Sequence, residues 1–148
     1  MTLTKRLGLA ALLVFGATLY ASTPAWAEID LTPTGAEPGA TGQASSSHVK
    51  FVESGILDPA NGIGFDEYMC TLTVTCQGLT PGATYATNAG TFKASRDGTG
   101  SAKAARVRFV WEYQNYGLYS EPRVAVSRIN PDGSYTLVLW AELSSPWF

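Results

Sequence analysis

The sequence predicts an all-β protein: an antiparallel sandwich of seven or eight strands, preceded by a signal peptide and a flexible arm. Three observations carry that expectation. Short runs of alternating apolar and polar residues, rich in Thr, Val and Tyr, recur from residue 48 onward. Turn sequences separate them at Asn61-Gly62, Pro81-Gly82, "RDGTG" (96–100), "NYG" (115–117) and "NPDG" (130–133). No window holds a sustained helical period, and nothing repeats at a spacing that would build a solenoid.

The N-terminal segment sets an expectation about compartment. Lys5 and Arg6 precede the apolar run "LGLAALLVFGATLY" (7–20), and Ala25-Trp26-Ala27 follows with small residues around a cut. A basic start, an apolar run and an A-x-A site describe a secretory signal peptide over 1–27. At 14 residues the run is shorter than the roughly 20 that a membrane-spanning helix needs. The expected product is exported to the periplasm or the extracellular space, with no membrane span after cleavage. Removing 27 residues from 148 leaves 121, enough for one domain with a core. Losing Lys5 and Arg6 leaves 8 basic against 12 acidic residues, a net charge of −4 that argues against nucleic acid as a partner.

Along the processed chain, "EIDL" (28–31) reads as a short first strand. The Pro-, Gly- and Ser-rich "TPTGAEPGATGQASSS" (32–47) has no large apolar residue and reads as a flexible arm, so 28–47 precedes a single sandwich domain over 48–148. Strands are expected at 48–52, 63–68, 70–76, 90–95, 103–113, 123–129 and 134–143. In the 103–113 run Val107, Phe109 and Trp111 alternate with Arg106, Arg108 and Val110, giving one buried and one wet face. A one-residue slip there would bury two arginines, so the register is firmly set. The last hairpin turns at Pro131, which presets φ, and at Asp132-Gly133, which tolerate positive φ. Its second strand has Tyr135, Leu137 and Leu139 on one face and Thr136, Val138 and Trp140 on the other, a two-sided apolar pattern that predicts a central strand.

The stretch "CTLTVTC" (70–76) contains both cysteines. Alternation puts Cys70, Leu72, Val74 and Cys76 on one face and Thr71, Thr73 and Thr75 on the other. Six extended residues span about 20 Å at roughly 3.3 Å each, whereas a disulfide needs Cα atoms within about 7 Å. The run also lacks a turn residue, so an internal Cys70–Cys76 bridge is disfavoured. An even cysteine count in an exported chain argues the other way. Buried free thiols and an intermolecular bridge remain as alternatives.

Immediately afterwards, Leu79, Pro81, Gly82 and Tyr85 form a Leu-x-Pro-Gly-x-x-Tyr pattern. This resembles the tyrosine corner of fibronectin type III and related immunoglobulin-like modules. The resemblance covers residues 78–85 and implies that the Tyr85 hydroxyl bonds to backbone near the corner, pinning two strands. It implies no ligand and no catalytic residue. Elsewhere the chain departs from those modules: after the signal peptide no tryptophan precedes Trp111, and "ATNAG" (86–90) is small and polar.

Most site chemistry lacks its residues. His48 is the only histidine, so two-histidine metal sites and H-E-x-x-H zinc chemistry have no basis. There is no G-x-S-x-G elbow to mark a catalytic serine, and no C-x-x-C for redox or haem attachment. Asp66-Glu67 lacks the spaced acids of a calcium loop and reads as a solvated pair. No catalytic residue, metal ligand or cofactor is assigned. One cluster stands out in "FVWEYQNYGLYSEP" (109–122), where Tyr113, Tyr116 and Tyr119 accompany Gln114 and Asn115. Exposed aromatic planes beside amides can stack on flat ligand faces and bond hydroxyls; the plainer alternative is a tyrosine-rich loop packed over the sandwich end. The sequence thus points to an exported, non-enzymatic β-sandwich module with a binding or structural role. A polysaccharide or another envelope or extracellular protein would be its partner. The alternatives are a fibre or surface-layer subunit assembling by strand pairing and, last, a small hydrolase using two carboxylates.

Overall fold

The computed structural model describes residues 28–115 and 117–144; residues 1–27, where a signal peptide is expected, and Tyr116 lie outside the described residues. Ten strands occur among the described residues. In chain order they are β1 (Glu28–Asp30), β2 (Thr32–Pro33), β3 (Thr41–Asp58), β4 (Ile63–Gln77) and β5 (Thr84–Thr87). There follow β6 (Gly90–Lys93), β7 (Gly100–Gln114), β8 (Gly117–Ser120), β9 (Arg123–Ile129) and β10 (Tyr135–Glu142). They pair antiparallel into two five-stranded sheets, ordered β8-β7-β4-β3-β1 and β2-β10-β9-β5-β6. The all-β sandwich is therefore present, with ten strands rather than seven or eight. The additional ones are the two-residue β2 and the four-residue β5 and β8, whose small or irregular sequences carry little alternation.

The core lies between the sheets. Leu72, Val74 and Cys76 of β4 and Phe109 and Trp111 of β7 face Val124 and Val126 of β9 and Val138 and Leu139 of β10, all buried. Apolar area removed from water along these alternating faces drives the two layers together. β3, β4 and β7 run 18, 15 and 15 residues, whereas β9 and β10 run 7 and 8. The long sheet therefore outreaches its partner, and among the described residues no strand of the second sheet covers its far end, toward the Pro59–Asn61 turn.

The segment 32–47 is not a flexible arm. Thr41–Ser47 pairs residue by residue with Gln77–Thr71 in the centre of the sandwich. Its small residues are what the gap admits: Ala40 and Ala44 are buried, and a Cβ on Gly42 would lie 3.0 Å from both Leu139 Cδ1 and the Thr75 carbonyl. Low apolar content reflects close inter-sheet approach here, not disorder. The expected strands at 63–68 and 70–76 are likewise one continuous β4, with Cys70 and Cys76 six residues apart on its buried face as free thiols.

Two strands change face part-way. In β7, Ala102 and Ala104 point inward and then Val107, Phe109 and Trp111 do, because an extra residue sits between the partners of Cys70 and Leu72. The arginines remain on the wet face. In β10 the shift falls between the partners of Val126 and Ser127, so Val138 and Leu139 are both buried. Tyr135 and Leu137 consequently face solvent. β10 is interior for only two residues, Leu139 and Trp140, which pair with Pro33 and Thr32. Its apolar content on both sides comes from the bulge, not from a central position.

The corner at 78–85 is built as its residues suggest. Tyr85 is fully buried, and its hydroxyl accepts from the Thr80 backbone N–H at 3.0 Å. Gly78 has φ +69, and a Cβ there would overlap the Gly39 carbonyl, so glycine lets the 34–40 loop lie directly on the corner. From that loop, Glu37 reaches beneath it.

Candidate functional site

At the far end of the long sheet, register places one group of side chains together. Asp66 of β4 stands opposite Trp111 of β7, and Gly64 stands opposite Tyr113. Side chains two apart share a face, so Asp66 has Tyr68 beside it on the same strand and Tyr113 diagonally across. Phe51 of β3 is opposite Tyr68, and Leu118 of β8 is opposite Tyr113. Phe51 and Leu118 are 54% and 42% exposed, large apolar side chains presented to solvent at the rim.

The aromatic residues are held by edge contacts. Tyr68 meets Phe51 edge-on at 5.5 Å and Trp111 edge-on at 5.8 Å, arrangements favoured by ring quadrupoles. Trp111 is fixed in turn by a 2.6 Å hydrogen bond from Nε1 to the Leu143 carbonyl. Tyr68 and Tyr113 both have their hydroxyl pKa raised, first by burial and then by the charge of Asp66. The face thus offers a carboxylate acceptor, two protonated phenols and an apolar rim.

The consecutive acids do not act as a pair. Asp66 lies on this face, whereas Glu67 lies on the opposite one and bridges Arg108 at 3.1 Å. Among the described residues no group of three or more His, Cys, Asp or Glu side chains could hold a metal ion.

The residues singled out from the sequence separate. Tyr113 joins the face. Gln114 instead donates from Nε2 to the Asn61 carbonyl at 3.1 Å, and the Asn115 N–H bonds the Gly62 carbonyl at 3.4 Å. Both amides tie the end of β7 to the turn between β3 and β4. The Gln114 side-chain amide thus has a structural partner, while Asn115 makes its bond through the backbone N–H. Asn115 takes φ +50 to do so, a conformation asparagine tolerates better than most residues. Tyr119 is the bulged residue of the edge strand β8 and is 55% exposed. Sequence reasoning missed Phe51, Tyr68 and Leu118, and took Asp66 for half of a solvated acidic pair. The i, i+2 spacing of Asp66 and Tyr68 within an expected strand was the available signal; their approach to Tyr113 depends on cross-strand register, which no single strand shows.

Comparison of the chain with protein-family models, with characterised proteins and with solved structures finds no match. The site's chemistry must therefore carry the functional reading.

Proposed function

We propose that the protein is an exported, non-enzymatic β-sandwich module that binds polysaccharide on the far end of its long sheet. The observation that carries this reading is the grouping of Asp66 with Tyr113 on one face, with exposed Phe51 and Leu118 at the rim. Sugars present flat C–H faces that pack on aromatic planes and rings of hydroxyls that bond carboxylates and phenols. A single acid with no second carboxylate on the same face suits binding rather than glycoside hydrolysis, which uses two. The kinship with immunoglobulin-like modules rests on the 78–85 corner alone. Export rests on the 1–27 segment.

The test is retention on insoluble cellulose, chitin and peptidoglycan. The reading expects one of these to retain the protein without releasing soluble sugar, and Tyr113→Ala to abolish retention while the fold survives. Passage through all three, or release of sugar, would count against it.

Assembly by strand pairing is favoured by one feature. β1 covers only Gln43–Ser45 of β3, leaving the rest of that edge without a strand neighbour among the described residues. That edge, however, is bulged at three places along its pairing with β4 and carries Lys50 and Glu53, the features that discourage edge-to-edge addition.

A further inference from the structure

The outer face of the long sheet has two backbone distortions at one level. Between Ser47 and Lys50, β3 holds one residue more than the Thr71–Met69 segment it pairs with. Between Ala104 and Val107, β7 holds one more than Leu72–Cys70. At these bulges His48 and Arg106 take φ +52 and +62. Glycine is the residue such a bulge ordinarily uses, because any Cβ is strained there. The chain instead keeps a histidine and an arginine, one on each flank of Thr71. Retained strain of this kind marks a position where the side chain matters.

Both residues border the same open surface cleft, whose lining also includes the apolar Val49, Cys70 and Ala105. His48, Lys50, Met69, Thr71 and Arg106 line this cleft of about 400 Å³. Among the described residues neither Lys50 nor Arg106 has an ion-pair partner, whereas neighbouring Arg108 is engaged by Glu67. The cleft therefore has two cations without an ion-pair partner among the described residues, an imidazole and a threonine hydroxyl; of the two acids that stand opposite one another next to it, Glu53 and Glu67, Glu67 is engaged by Arg108.

We propose that this cleft is an oxyanion-binding site, separate from the polysaccharide face and independent of that reading. The Arg106 guanidinium supplies forked donors, Lys50 a point charge, and Thr71 and His48 further hydrogen bonds to a phosphate, sulfate or carboxylate group. The volume leaves room for the molecule that bears the group.

The test is an NMR titration of the protein with inorganic phosphate, sulfate and glucuronate, at constant ionic strength maintained with chloride. Saturable shifts of the His48, Thr71 and Arg106 amides by at least one probe, and none with chloride, are expected. Phosphate or sulfate outcompeting glucuronate assigns a tetrahedral anion; the reverse assigns a carboxylate. Arg106→Gly should weaken binding by about tenfold, the loss of one charge-assisted bond, while raising Tm because strain is relieved. Lys50→Gln should weaken binding without raising Tm, and Arg96→Gln, remote from the cleft, should change neither. Absence of saturable shifts with all three probes would overturn the proposal. So would an Arg106→Gly variant that binds as tightly as wild type, or one that melts lower, since its arginine would then be structural.

Discussion

The Tyr85 hydroxyl donates a 2.6 Å hydrogen bond to Glu37 Oε1, joining residues 48 apart in sequence. The same carboxylate oxygen accepts from the Thr80 N–H and hydroxyl, both at 3.1 Å, and Oε2 accepts from Arg128 at 2.6 Å. Glu37 is the buried charged residue on which the 34–40 loop, the corner and β9 meet. A buried carboxylate is tolerable only with such a full set of partners.

Removing the hydroxyl tests this junction. Tyr85→Phe leaves Glu37 with one donor fewer and should cost about 1–2 kcal/mol. Glu37→Gln should cost about 2 kcal/mol or more by leaving Arg128 unpaired. The two losses should not add in the double variant, because both act on one network. Denaturant midpoints check this, and additive losses would show that the pair is not coupled.

Acid should loosen the same junction. Burial pushes the Glu37 carboxyl up, but hydrogen bonds from Tyr85, Thr80 and Arg128 outweigh it, and the pKa falls below its ordinary 4.5. A carboxyl depressed in the folded state stabilises fully above its unfolded value and loses that contribution as pH falls through the folded value. Wild type should therefore lose stability below about pH 4.5 more steeply than Glu37→Gln. Parallel pH profiles for the two proteins would contradict the assignment.

Much of the fold was legible in the sequence because it rests on period-two alternation. The 123–129 strand, the Pro131–Gly133 turn and the inward set Val107, Phe109 and Trp111 all follow from local pattern. The bulges were not legible. Nothing in "YTLVLW" marks Val138 as the extra residue, and the residue that bonds the bulge is remote in sequence: the Thr34 hydroxyl donates toward the Leu137 and Val138 carbonyls at 2.8 and 3.2 Å. The order of segment 41–47 was hidden for a related reason. Small residues packed into a narrow gap and small residues in a loose linker have the same composition. Within the candidate site, Tyr113 was visible as an aromatic residue at a strand end, but Asp66 becomes its neighbour only through the pairing of β4 with β7.

Thr34 offers a direct probe of the β10 bulge. Thr34→Val keeps the shape but removes the hydroxyl's bonds to the β10 carbonyls and the one it accepts from the Ala36 N–H, and should cost about 1 kcal/mol. The Leu137 and Val138 amides should show the largest NMR shift changes among β10 residues. A change confined to the 34–40 loop would mean that the bulge holds itself.

The cysteines should be chemically quiet. Burial pushes both thiols up to about 11, so little thiolate exists near neutrality. Neither should react with a thiol reagent under native conditions, and both should react on unfolding. A Cys70–Cys76 crosslink in peptide maps of the native monomer would show that β4 is broken between them.

The central claim is that Asp66 and Tyr113 mark a polysaccharide-binding face, and chemical-shift mapping with soluble cello-, chito- and muro-oligosaccharides addresses it most directly. At least one of these should produce saturable shifts concentrated at Phe51, Asp66, Tyr113 and Leu118, with none at Thr80 or Tyr85. Tyr113→Ala should weaken that binding by roughly 2 kcal/mol, the scale of a central aromatic contact, with unchanged spectra around the buried corner. Shifts centred elsewhere on the sandwich, or none with any of the three oligosaccharides, would contradict the account.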